Sequence, residues 1–287
     1  MTLVFLAGCA GNGDTSDAYG NFEATEVLIA SEAGGKLLSF EVDEGQTLEA
    51  GTVVGLVDTV QLALKRDQLR ASRQAVRSKI SGVVAQIEVL EEQKRVALIE
   101  KNRIERLLED RAATQKQRDD VDGQLRVLDR QIQSIRTQKA TILGEIDVLE
   151  VQIAQLDDQI ARSIVVNPVA GTVLVTYAET HELTAPGQPL YKLADLGTLY
   201  LRAYVSGAQL PHVRIGQTVE VLIDEDETAN RSLTGEITWI AAQAEFTPKL
   251  VQTKEERVNL VYAFKVRVAN PEGRLKIGMP GEVRFGE

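Results

Sequence analysis

Two short stretches of this chain follow the same plan, and a long proline-free segment separates them. The first reads Gly34-Gly35-Lys36-Leu37-Leu38, Val42-Asp43-Glu44-Gly45 and Leu48-Glu49-Ala50-Gly51. The second reads Ala170-Gly171-Thr172-Val173-Leu174, Ala178-Glu179-Thr180-His181 and Leu183-Thr184-Ala185-Pro186-Gly187. Glycines that punctuate short runs of Val, Leu and Phe give brief strands joined by tight turns. The two stretches read as halves of one small β-module cut in two by what lies between.

What lies between has a different period. Apolar residues step through Leu62, Leu69, Val76, Ile80, Val83, Ile87, Leu90, Ala97, Ile104 and Leu108, with Arg73, Lys94 and Lys101 as polar members of the register. After a break near Ala112-Ala113-Thr114 a cleaner register runs Val121, Leu125, Leu128, Ile132, Ile135, Ile142, Ile146, Leu149, Ile153, Leu156 and Ile160, interrupted at Lys139. Spacing by threes and fours for this long is a seam down one side of a helix. Gly82, Gly123 and Gly144 fall off the seam and leave it intact. One such helix alone buries too little surface to persist, so the arms are expected to fold back on each other as an antiparallel coiled-coil hairpin over 59–163, with its tip at 109–116. Arms of roughly 45–50 residues reach about 70 Å at 1.5 Å per residue.

The remaining chain returns to a period of two. The expected division is 1–20 as a tether, 21–58 as a leading strand (Phe22 to Ile29) with the first half-module, 164–195 as the second half-module and 196–287 as a β domain. Leu199 to Val205, Thr218 to Ile223, Gly235 to Ile240, Val261 to Val268 and Gly281 to Phe285 are strand-like. Gly216-Gln217, the 224–230 run and Asn270-Pro271-Glu272-Gly273 are turn signals. Five or six such strands predict a small barrel or sandwich. The fold class is therefore mixed α and β and elongated: a split β-sandwich carrying a long helical hairpin, followed by a small β-barrel.

Composition narrows the function. The net charge is −10, and Lys and Arg are interleaved with acids, so no basic surface tracks nucleic acid. His181, His212 and one cysteine supply too little for a metal site or a redox pair, and no cofactor is expected. The run Asp224-Glu225-Asp226-Glu227 reads as a solvated loop, since neighbouring acids at a turn point apart. No Gly-x4-Gly-Lys-Ser/Thr loop and no nucleophile elbow occur, so the chain is read as no enzyme. No run of about twenty apolar residues is present to span a bilayer as a helix. Leu6-Ala7-Gly8-Cys9 looks like a bacterial lipoprotein cleavage box, with Cys9 as the acylated thiol and the polar run Gly11 to Asp17 as a flexible tether. The apolar stretch before it is short and carries no Lys or Arg, so the start is expected to be truncated or misassigned. Ala10 leaves the anchoring membrane open, with the inner membrane the expected one.

With those parts in order, the chain resembles the periplasmic adaptor subunits, or membrane fusion proteins, of the hemolysin-secretion D-like type. In that family two halves of a lipoyl-like domain flank a helical hairpin and a β-barrel follows. At the tip, Arg103, Leu107 and Thr114 match the Arg-x3-Leu-x6-Ser pattern of tripartite-pump adaptors, with Thr in place of Ser. The resemblance implies that these three residues meet the tip of a TolC-like outer-membrane channel. Thr114 has a second reading: Thr114-Gln115-Lys116-Gln117 also fits a helix-capping box. The stretch Ala244-Glu245-Phe246-Thr247-Pro248-Lys249, continued by Gln252 to Arg257 and Leu260-Val261-Tyr262, resembles adaptors that serve ABC-type exporters. The family further implies an inner-membrane transporter as partner and self-association in a ring, a hexamer by resemblance. Two other readings stand beside this one. A structural envelope lipoprotein would use the rod as a spacer. A biotinyl or lipoyl carrier would need a lysine at the turn between halves, and there the whole hairpin is inserted instead.

Overall fold

The computed structural model describes residues 16–225, 229–246 and 260–286. In chain order the elements are β1 (Ala18–Glu23), β2 (Glu26–Ala30), β3 (Gly35–Phe40), β4 (Thr47–Leu48), β5 (Val53–Val57), α1 (Val60–Glu109) and α2 (Gln115–Ala161). There follow β6 (Ile164–Val166), β7 (Gly171–Thr176), β8 (Leu183–Thr184), β9 (Pro189–Ala194), β10 (Thr198–Ser206), β11 (Thr218–Asp224), β12 (Asn230–Ile240), β13 (Glu245–Phe246), β14 (Leu260–Ala269) and β15 (Pro280–Arg284).

The helices α1 and α2, of 50 and 47 residues, pack along each other as the rod. Their seam is the one the apolar register marks. Val83 lies against Ile142 and Ile146. Ala97 lies against Leu125 and Leu128. Pairing that runs from early-with-late to late-with-early is the signature of an antiparallel hairpin. At 1.5 Å per residue the rod is about 70–75 Å long.

The two half-modules interleave. One four-stranded sheet has the order β2-β9-β7-β4 and the other β6-β5-β3-β8, so each sheet takes two strands from before the rod and two from after it. Gly171 against Gly35, Leu183 against Thr47 and Pro189 against Val53 each lie 136 positions apart, and each opens an equivalent strand. The hydrogen bonds repeat with the same offset. Gly45 donates to the Val173 carbonyl (2.9 Å) and His181 to that of Leu37 (2.8 Å), while Gly51 donates to Asn167 (2.7 Å) and Gly187 to Ser31 (2.8 Å). Leu37, Val57, Val173, Leu190, Tyr191 and Leu193 fill the shared core. Within it the Tyr191 hydroxyl donates to Asn167 Oδ1 (3.1 Å), whose own amide donates to the carbonyls of Glu49 (2.9 Å) and Val169 (2.7 Å). Burial pushes the Tyr191 phenol up to about 12.

The third unit is a closed barrel. Its strands run β10-β1-β15-β11-β12-β14, and β14 pairs back to β10; β13 is added at the edge of β14. Phe22, Leu199, Leu201, Ile237, Phe264, Val266 and Val283 form its interior. Here the structure corrects the sequence reading at the leading strand. The stretch from Phe22 to Ile29 is two strands: β1 belongs to the barrel, between β10 and β15, and only β2 belongs to the sandwich. The reason is local. Gly20 brings its backbone so close to β10 that a Cβ there would stand 2.0 Å from the Arg202 carbonyl oxygen, and Phe22 points into the barrel core. The strand β12 likewise starts earlier than expected, at Asn230. The units are therefore nested: the rod is inserted in the sandwich, and the sandwich between the first and remaining strands of the barrel. Among the described residues no helix is long and apolar enough to cross a membrane.

Candidate functional site

The rod ends in a turn built to a tight specification. At the close of α1, Arg111 donates to the Leu108 carbonyl (3.0 Å) and Ala112 to that of Leu107 (2.7 Å). This doubled pairing is a Schellman closure, which uses up carbonyls that a helix end otherwise leaves open. It requires a left-handed residue, and Arg111 fills the place usually taken by glycine, at φ 59°. The sequence offered no glycine to signal it.

Thr114 begins α2. Its backbone is extended, its hydroxyl accepts from the Gln117 amide (3.4 Å), and the Gln117 side chain accepts from the Thr114 amide (2.8 Å). The capping box is present, so the hydroxyl has a local task whatever else it meets.

Arg103 and Leu107 lie one turn apart on the same face of α1. Neither is spent on the seam, since Ile104 is the buried neighbour. The Arg103 side chain is 66% exposed, with a single ion pair to Glu100 at 3.1 Å. Leu107 is 39% exposed, a large apolar group held out at a helix end that the Schellman pairing closes. The structure thus brings Arg103, Leu107 and Thr114 to one end of the rod.

Just behind the tip the two helices are fastened. Lys101, one of the polar members of the α1 register, reaches Asp122 at 2.7 Å, and Arg118 stands 3.8 Å from the same carboxylate. The Lys101 hydrogen bond holds the Asp122 carboxyl below the usual aspartate range, with the charges of Lys101, Arg118 and Arg126 adding to it. The seam lysines therefore serve as cross-links. Their spacing was visible in the sequence, but their partners were not.

At the barrel, the described part of the 244–262 stretch anchors on Arg202, whose guanidinium donates to both oxygens of Glu245 (2.7 and 2.9 Å). The Glu245 bond raises the Arg202 pKa above the ordinary arginine value. Arg202 and Lys265 both stand about 6 Å from the Trp239 ring, at 6.0 and 5.9 Å, within range of a cation–π contact. Residues 247–259 of that stretch and the lipid-attachment candidate Cys9 lie outside the described residues, as does part of the 224–227 acidic run. No group of three or more metal-ligating side chains occurs among the described residues.

Comparison with known proteins bears on the whole chain. No protein-family profile matches it. The chain is 26% identical over 298 residues to a protein of Salmonella arizonae named UPF0194 membrane protein YbhG, covering 94% of this chain and 88% of that one. A protein of Salmonella typhimurium with the same name gives the same identity and coverage. Among solved structures, MacA from Actinobacillus actinomycetemcomitans superposes with a TM-score of 0.61 at 18% identity, covering 94% of this chain and 78% of that one. A MacA–MexA chimera bearing the Pseudomonas aeruginosa MexA α-hairpin gives 0.52 at 18%, over 96% and 84%. The membrane fusion protein Spr0693 from Streptococcus pneumoniae gives 0.51 at 15%, over 94% and 98%. The chain has the fold of the membrane fusion proteins, from barrel to hairpin tip.

Proposed function

We propose that this chain is a periplasmic adaptor that joins an inner-membrane transporter to a TolC-like outer-membrane channel. The observation that carries the reading is the tip: an exposed cation and an exposed leucine, one turn apart, at the closed end of a rod held by both its ends in a compact base. A spacer needs length but has no use for an apolar side chain displayed at its end. An adaptor does, because a leucine that enters a groove on a partner gains the burial it lacks alone.

In this reading Leu107 fills a groove of the channel tip, Arg103 pairs with its polar rim, and Thr114 fixes the turn that follows them. The sandwich is a lipoyl-like domain, and copies gather in a ring, a hexamer by family resemblance, so that small tip contacts act together. The transporter is of ABC type, met near the barrel. The anchor is acylated Cys9, each buried methylene contributing roughly 0.8 kcal/mol. The chain itself turns over no substrate.

The test is export in cells that depend on this chain. Arg103→Asp and Leu107→Ser are expected to abolish export while the protein keeps its helicity and reaches the envelope. Normal export in both variants overturns tip docking. Acylation is tested separately with a palmitate analogue, whose incorporation is expected to vanish in Cys9→Ser.

A further inference from the structure

One end of the barrel is turned away from the sandwich and the rod. β1 runs from Ala18 to Glu23 and the sandwich begins at Glu26, so the Ala18 end is the far one. Glu32, two residues past β2, pairs with Arg162 at the base of α2 (2.8 Å), which puts the rod on the opposite side of the sandwich. The chain enters the barrel at this far end. The Asp17 amide donates to the Val283 carbonyl (2.9 Å), and its carboxylate accepts from the Phe285 amide (2.8 Å).

The same end is closed by the crossing from β10 to β11, residues 207–217. Leu210 and Val213 turn inward and pack on the barrel core. Gln209 ties the crossing to the entry point: its side-chain amide donates to the Asp17 carbonyl (2.9 Å), and its oxygen accepts from the Ser206 amide (3.0 Å). Past Val213 the chain turns over Arg214 to Gln217 and holds Ile215 outward, 68% exposed. The turn is fixed on both sides. The Arg214 amide donates to the Gln217 side chain (3.0 Å), and the Gly216 amide to the Ile237 carbonyl (2.8 Å). Arg214 is exposed and makes no ion pair among the described residues. At the same end Leu260 opens β14 beside Ser206 and is 49% exposed.

We infer that this end of the barrel rests on a lipid bilayer, with Ile215 entering the boundary between headgroups and acyl chains and Arg214 paired to anionic phosphate groups. Three features select that occupant. The first is distance. Residues 10–15 separate Cys9 from Ser16, so an acyl group on Cys9 holds the entry point within about 25 Å of the lipid, at about 3.6 Å per residue. That distance is the one element that rests on the acyl anchor of the proposed function. The second is chemistry. An outward isoleucine beside a cation without an ion pair suits a surface that is apolar within and anionic outside. The third is shape. Ile215 stands at the apex of a turn, and a fluid surface accepts a protruding side chain without a matching pocket. A tether limits how far the barrel can stray but not which way it faces. The contact at Ile215 sets the direction, with the rod pointing away from the membrane.

The experiment floats the full Cys9→Ser chain, which carries no acyl group, with vesicles of phosphatidylethanolamine and phosphatidylglycerol. Ile215→Asp is expected to lower the partition coefficient by about tenfold or more, with helicity unchanged by circular dichroism, and Ile215→Leu to keep it. Arg214→Gln is expected to lower it about fivefold on these vesicles and to leave binding to phosphatidylcholine vesicles unchanged. Leu107→Ser, at the opposite end of the molecule, is expected to bind like the parent. An Ile215→Asp chain that partitions like its parent, or a Leu107→Ser chain that loses as much, overturns the inference. Unchanged partition of Ile215→Asp beside lost capture of the transporter overturns it as well and assigns the apex to a protein partner. Binding through Ile215 in a chain whose Cys9 takes up no palmitate analogue removes the anchor and leaves the contact.

Discussion

His181 occupies in the second half-module the turn position that Gly45 occupies in the first, and both are left-handed, at φ 80° and 82°. The first half solves the turn with a residue that adopts this conformation freely; the second uses a residue that adopts it under strain. No atom stands within 4 Å of where a Gly45 Cβ would be, so a side chain there meets a backbone cost and no clash. Gly45→Ala is expected to destabilise by about 1 kcal/mol. His181→Gly is expected to stabilise by less than about 1 kcal/mol, the relief being partly offset by the freer unfolded chain. Urea midpoints of the two variants, moving in opposite directions, check this.

Gly20→Val attacks the barrel where β1 passes β10. A Cβ at 2.0 Å from the Arg202 carbonyl oxygen cannot be accommodated without moving a backbone. The loss is expected to exceed about 2 kcal/mol. Limited proteolysis is the measurement: cleavage near β1 becomes rapid, while the rod, which makes none of these contacts, keeps its helical circular dichroism.

Thr114 separates capping from docking. Thr114→Ala removes the hydroxyl that caps α2 and is expected to cost about 1 kcal/mol. Thr114→Ser keeps the cap and is expected to keep both stability and export. A Thr114→Ser chain that folds normally and fails in export assigns the methyl group a role at the partner.

Tyr191 makes the sandwich sensitive to alkali. Its phenol titrates at about 12 in the fold against 10.0 for a free one. Its neutral form is the one favoured by burial, so its stabilisation is whole below pH 10 and is lost as pH rises from there toward 12. Phenolate absorbance is expected to show one tyrosine titrating late, and that component to vanish in Tyr191→Phe. The same variant leaves Asn167 Oδ1 without its donor, at a cost of about 1–2 kcal/mol.

Asp122 gives the opposite sign at the other end of the scale. Its carboxyl lies below the ordinary aspartate value of 3.8, chiefly through the Lys101 hydrogen bond. A lowered carboxyl contributes stability above the unfolded value and loses it as pH falls through the folded one. Carboxyl carbon shifts are expected to show Asp122 titrating below the ordinary aspartate value, and Lys101→Met to move it back up.

The rod was legible because its signal is periodic and redundant: no single residue decides it, and Lys139 can depart from type without hiding the seam. The capping box at Thr114 was legible because it is a contact three residues long. The barrel was only partly so. Strand patterns from Leu199 onward are local, but the place of β1 depends on pairing Tyr19 with Tyr204 and Ala18 with Val283, and nothing in a strand's own composition names a partner so distant. The left-handed backbones at Arg111 and His181 escaped for the converse reason: the usual sign is a glycine, and neither has one. The cross-link behind the tip needed both helices in register before Lys101 could be matched to Asp122.

The nested order of the units also sets a timetable. As the chain leaves the ribosome, β1 emerges first, yet both strands that flank it, β10 and β15, come after the rod and the sandwich are complete. The rod has its two arms within one continuous stretch and can zip as soon as α2 is out. The sandwich closes next, when β9 arrives. The barrel waits for β15, so Ala18 to Glu23 stay wholly unpaired until β10 is made and keep one open edge until β15 follows. That edge is six residues long and alternates exposed Tyr19 and Asn21 with Gly20 and Phe22, a strand too short and too polar on one side to template a misplaced sheet while it waits.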